Sequence, residues 1–168
     1  GENDYIFNHS FATGNVSPHN EVPGEEGSLV GYKPEGTIPN SYATGDVTAL
    51  SSGEGYVGGL AGESYYASIA NSYATGNVTG TDINSIGGLV GYDEDDGAIS
   101  HSYATGDVVD NYVSSTEASV GGLVGYDYMD TYGHISNSYA TGAVVTAIPD
   151  SYVGGLIGYG DEYSWISS

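Results

Sequence analysis

The 168-residue chain contains no cysteine, so neither disulfides nor thiolate metal sites can hold it together. It has a single basic side chain, Lys33, against 22 aspartates and glutamates, and the formal net charge is −21. Phosphate contacts need lysine and arginine, so nucleic acid is excluded as a partner, and anionic membrane surfaces are excluded on the same ground. No apolar run approaches about 18 residues, which argues against membrane insertion. Methionine and tryptophan occur once each and phenylalanine twice. Lysine, glutamate and leucine runs of the kind that build helices are also missing.

Glycine and tyrosine are abundant instead, at 28 and 17 residues. Glycine costs about 1 kcal/mol relative to alanine inside a helix, so helical repeats fit badly. With few aliphatic residues, much of the apolar surface must be tyrosine, half-buried, its phenol reaching water or a partner. The chain also repeats itself. The phrases NHSFATGNV, NSYATGDV, NSYATGNV, HSYATGDV and NSYATGAV begin at Asn8, Asn40, Asn71, His101 and Asn137. Each is followed by a second phrase: SLVGY, GGLAGE, GGLVGY, GGLVGY or GGLIGY. The period is about 30 residues, the mark of a solenoid, propeller or array.

Four-stranded propeller blades need about 40 residues or more, whereas about 30 suffice for two or three strands and their turns. The expected fold is therefore all-β: a parallel β-solenoid of about five coils, with about 31 residues per coil and equivalent strands stacked about 4.8 Å apart. Residues 1–168 read as one repeat domain. Its repeats run approximately 5–36, 37–67, 68–97, 98–133 and 134–164, with a partial sixth at 165–168. Ile6, Ile38, Ile69, Ile99, Ile135 and Ile166 should form one apolar column. Val16, Val47, Val78, Val108 and Val144 should form a second, and Leu29, Leu60, Leu89, Leu123 and Leu156 a third. No coil can bury these faces alone, but its neighbours can. The pairs Gly58–Gly59, Gly87–Gly88, Gly121–Gly122 and Gly154–Gly155 should mark bends or close backbone approach.

The SYATG phrase paired with GGLVG resembles the GLUG repeat of large secreted bacterial and archaeal surface proteins, including adhesins. The resemblance covers nearly the whole chain. It implies a parallel β-solenoid and an extracellular, cell-surface location, and it implies no activity. The first copy departs most: Phe11 replaces tyrosine, His9 reads as an extra residue, and Ser28 replaces a glycine.

Acidic residues gather after each second phrase, most densely at Asp93-Glu94-Asp95-Asp96-Gly97. Stacked carboxylates repel, so these turns either splay into solvent or hold cations between them. Hard oxygen ligands on a glycine-containing turn suit calcium, and Asp93, Glu94, Asp95 and Asp96 are its candidate ligands. The Asn15, Asp46, Asn77, Asp107, Ala143 column alternates charge and reads as structural. The sequons at Asn8, Asn15 and Asn77 are candidate glycosylation sites. The four histidines do not converge, and HExxH, GxSxG and phosphate-loop patterns are absent, so no enzyme is expected. Serine and threonine columns three residues apart imply that one of them turns inward at a corner. The tyrosine column can stack within the coil or face outward as a platform for sugars, and stacking within the coil is the better fit.

The last residues, Trp165-Ile166-Ser167-Ser168, begin a sixth copy, and Tyr5-Ile6-Phe7 open the chain in the same phase. Gly1 is not a natural start residue, so the chain reads as a mature product or an excised segment. Exposed strand edges template pairing. The expected role is an extracellular structural subunit of a surface fibre, self-associating head to tail through Tyr5, Ile6, Phe7, Trp165 and Ile166. The alternative is a stalk or binding module of a larger adhesin, with glycans or surface proteins as partners.

Overall fold

The computed structural model describes residues 6–17, 24–50, 55–111, 117–129 and 134–168. Among these every regular element is a strand, every strand pairing is parallel, and four sheets run along the solenoid from coil to coil. Equivalent residues in successive coils lie 31, 31, 30 and 36 positions apart, so the solenoid makes about four full turns of about 31 residues. Each turn visits the sheets in the same order. A short strand such as Tyr73–Ala74 leads to Val78–Thr81, then Ser85–Gly87, then the fourth and widest sheet. That sheet begins as the ten-residue strands Val30–Pro39 and Ala61–Ala70. It then divides, because Val90–Glu94 and Ala98–Ser100 both pair with Ala61–Ala70.

The three apolar columns form the core. Ile38, Ile69, Ile99 and Ile135 are fully buried together with Leu60, Leu89 and Leu123, and Val47, Val78 and Val108 close a second cluster. Parallel register stacks these identical residues upon one another. The glycine pairs are bends, as expected. A Cβ at Gly87 would overlap the carbonyl oxygen of Val90, three residues on in the same turn.

The corner before each SYATG phrase needs a left-handed backbone. His9, Asn40, Asn71, His101 and Asn137 occupy it with φ of 47° to 52°. Asparagine tolerates that region better than most residues, which explains its recurrence. His9 therefore stands in the asparagine slot and is not an extra residue. The first copy shifts by one accordingly. Ile6 bridges Thr37 rather than Ile38. Phe7 takes the isoleucine slot: its carbonyl accepts the Ser41 hydroxyl, as Ile38 accepts that of Ser72. Phe7 packs against the core while Ile6 stays 61% exposed.

The isoleucine column consequently has six layers, from Phe7 to Ile166, whereas the tyrosine, valine and leucine columns have five. Among the described residues the isoleucine column is thus one layer taller than its neighbours, and both ends of the stack are stepped.

Candidate functional site

Two side-chain ladders bind coil to coil at the corners. The Asn15 and Asp46 side-chain oxygens accept the N–H of Asp46 and Asn77, at 2.9 and 2.8 Å. Asn77 and Asp107 continue the series to Asp107 and Ala143. The serine column turns inward: Ser41 and Ser72 are buried, and each hydroxyl accepts the N–H of the serine before it. The threonine column faces out. Asn8, Asn15 and Asn77 are all exposed.

The tyrosine column also faces out. Ala43, Ala74 and Ala104 fill the inward positions, so the rings at Phe11, Tyr42, Tyr73, Tyr103 and Tyr139 stand on the surface. They stack nearly parallel, with centroids 5.3, 5.1, 4.9 and 5.1 Å apart. Stacking within the coil, the better fit to the sequence, is thus replaced by an external stack. The reason is phase: the alternation turns alanine into the isoleucine–leucine cluster, where its methyl packs against the glycine bend.

A second aromatic surface lies on the widest sheet. Tyr92, Tyr126 and Tyr159 follow one another in register, flanked by Tyr56 and Tyr152. In the same position Glu63 stands between Tyr32 and Tyr92. Burial first, then the charges of Glu25 and Glu94, pushes the Glu63 carboxyl up to about 7. Glu26 is also pushed up to about 7, by burial and by Glu25. It occupies the slot that Val57, Ile86, Val120 and Val153 fill in later coils.

The structure does not gather the four candidate calcium ligands. Strand alternation buries Asp93 completely inside the coil and turns Glu94 outward. Asp95 makes a left-handed bend with φ 67°, and Asp96 is exposed. Among the described residues no group of three or more histidine, cysteine or acidic side chains is arranged to hold a metal ion.

Asp93 belongs instead to an inward polar column. Lys33, Ser64, Asp93 and Asp127 are in register on four successive coils, and all four are fully buried. The Lys33 ammonium is satisfied locally by the carbonyls of Pro34 and Glu35. Both oxygens of Asp93 and both of Asp127 are buried without a hydrogen-bond partner. Ser64 lies close enough to ease the Asp93 charge, yet its own hydrogen bond goes to the Ala67 carbonyl at 3.2 Å. Ser164 behaves likewise toward Asp127, bonding its backbone oxygen at 3.1 Å. Burial raises both carboxyls, Asp127 to about 6 and Asp93 well above its usual range, with the neighbouring Asp127 adding to the latter. No sequence signal announced this column, because its members share no chemistry.

The end coils leave core slots open. Val153 is 47% exposed where Val57, Ile86 and Val120 are buried, and Ile166 is 59% exposed above a buried Ile135. Trp165, beside it, is 72% exposed. Tyr5, Asp130, His19, Pro18 and Pro23 lie outside the described residues. His101 sits in the left-handed asparagine slot, and His134 pairs with Ala98, three positions before that slot.

A family model described as the GLUG motif matches three segments, residues 53–79, 83–109 and 116–146, together about half of the chain. Comparison with curated proteins and with solved structures gave no match.

Proposed function

The chain belongs to the GLUG-motif family, and from that premise we propose that it is a structural β-solenoid of a surface fibre, extended head to tail. The observation that carries this reading is the unbroken parallel stacking of like residues through every described coil, a register that further copies can continue. Tyr152–Gly154, Ile157–Gly160 and Trp165–Ser167 are the last strands of their sheets, and they expose Val153 and Ile166 where inner coils bury the same slots. A further β-layer would cover both the unpaired backbone and the apolar slots. A second copy supplies matching layers for the tyrosine, valine and leucine columns through Phe11, Val16 and Leu29, and its Glu26, protonated below about pH 7, meets Val153. Such a contact is heterologous and extends without closing. The acidic exterior keeps the fibre surface repulsive to its neighbours, which favours growth along the axis over lateral aggregation. No catalytic step is part of this reading.

The six-layer column adds a condition. In a register-true junction, Phe7 of one copy and Ile166 of the other claim the same layer, so one segment must yield. Electron microscopy and sedimentation of the purified chain test the proposal. Fibres that vanish in Val153→Lys and grow faster after removal of residues 165–168 are expected. A chain that stays monomeric at all concentrations, with and without that removal, overturns it.

The outward tyrosine stack favours a second reading, a repeat stalk that binds glycans or surface proteins. Aromatic faces pack against sugar rings, and here they repeat at about 5 Å along the fibre. Glycan-array binding that Tyr73→Ser abolishes would support it, and silence of the intact fold would count against it.

A further inference from the structure

We propose that the outer face of the widest sheet, centred on Glu63, is a docking site for an arginine side chain of a partner protein. Register sets Glu63 between Tyr32 and Tyr92 on the neighbouring strands. Ser64 and Asp93 turn inward and are fully buried, so strand alternation brings Tyr65 and Glu94 out on the same face as Glu63 and Tyr92. Tyr65 and Glu94 are themselves a register pair. The charge of Glu25 reaches Glu63 as well, from the adjoining sheet. Three carboxyls and three phenols thus share one patch. The Tyr32 phenol registers all of its neighbours there: burial first, then Glu63, Tyr65, Glu94 and Glu25, holds it above its ordinary range. The patch lies on the flank of the solenoid and rests on neither the fibre reading nor the glycan reading.

Charge complementarity selects the occupant. A second copy does not qualify: the chain contains no arginine, and its one lysine, Lys33, is buried inside the coil with its ammonium on the carbonyls of Pro34 and Glu35. The cation therefore comes from a different protein. Glutamate is shorter than tyrosine, so the rings of Tyr32 and Tyr92 rise on both sides of the Glu63 carboxyl, each about one strand spacing of 4.8 Å away. Tyrosine rings attract a cation within about 6 Å, and more strongly where water is partly excluded. Carboxylates and phenol oxygens also accept hydrogen bonds, which a quaternary ammonium cannot donate. A guanidinium donates them in a planar fork that matches a carboxylate, and the same plane packs on aromatic rings. Lysine brings only a compact, strongly hydrated charge. Glu63 is already half-buried, and a cation seated on it would offset the burial that now raises its carboxyl.

The test measures binding of a short peptide of alternating arginine and serine to the full chain. It is run at about pH 8, where Glu63 is ionised, and at about 50 mM salt. Saturable binding is expected, weakened about tenfold by Glu63→Gln. Asp46→Asn removes the same charge from the corner ladder and should leave the affinity within about twofold. The same peptide with lysine for arginine should bind about tenfold more weakly, and with neutral citrulline it should not bind. The proposal is overturned if the arginine peptide does not bind the native chain. It is overturned equally if Glu63→Gln and Asp46→Asn weaken binding alike, or if the lysine peptide binds as tightly. Either result would reduce the patch to diffuse attraction by the net charge of −21.

Discussion

The Asn77 backbone N–H donates to the Asp46 carboxylate of the preceding coil at 2.8 Å. Every coil repeats this contact with asparagine or aspartate, and it stops at Ala143, in the last layer of that column. The amide and the carboxylate serve equally because only an acceptor oxygen is required. Asp46→Asn should therefore leave stability within about 0.5 kcal/mol, whereas Asp46→Ala should cost about 1 kcal/mol, the usual net worth of such a bond. Denaturant melts of the two variants check this. Equal losses would mean that the ladder is decorative.

Glycine matters by layer as well as by motif. A Cβ at Gly87 or Gly121 would overlap a carbonyl of the same turn, so alanine there should cost more than about 2 kcal/mol. At Gly155 and Gly14 nothing lies within 4 Å of such a Cβ. Gly155→Ala should change stability by less than about 0.5 kcal/mol, although Gly88 and Gly122 share its motif position. Thermal unfolding of Gly87→Ala beside Gly155→Ala decides it.

Acidity should stabilise this protein. Glu26 and Glu63 bind a proton up to about pH 7 in the folded coil and only to the ordinary glutamate range when unfolded. Between about pH 4.5 and 7 the folded state therefore holds more protons than the unfolded one, and stability falls as pH rises through that window. Both groups are partly exposed, so solvent screening keeps each contribution to about 1 kcal/mol or less. Glu26→Val restores the residue that later coils use at this slot. It should raise the melting temperature at pH 8 and flatten the pH profile. A profile that keeps its slope in Glu26→Val would locate the titration elsewhere.

The isoleucine, valine and leucine columns could be read from the sequence because each slot keeps one chemical type through every coil. The left-handed corner could be read too, through its asparagines. What could not be read has a common cause. Phe7 stands for isoleucine and His9 for asparagine, so the first copy could be placed only by backbone hydrogen bonds. Whether tyrosine or alanine faces inward depends on the phase left after a glycine bend, which the repeat period does not fix. Asp93 looked like part of an acidic turn because Glu94, Asp95 and Asp96 follow it. Its true companions, Lys33, Ser64 and Asp127, lie one or two periods away and differ in charge and size.

The stepped ends restrict more than the number of layers. A flat stack of parallel strands could accept another at any of several rotations about its axis, each pairing different sheets. A coil whose isoleucine column stands one layer above the rest presents a single riser, at the strand Trp165–Ser167. An incoming body meets that riser at one azimuth only, as a nut meets the start of a thread. In the proposed fibre, the same unequal height that obstructs a junction would also fix its rotation, so each copy would inherit the helical phase of the coil beneath.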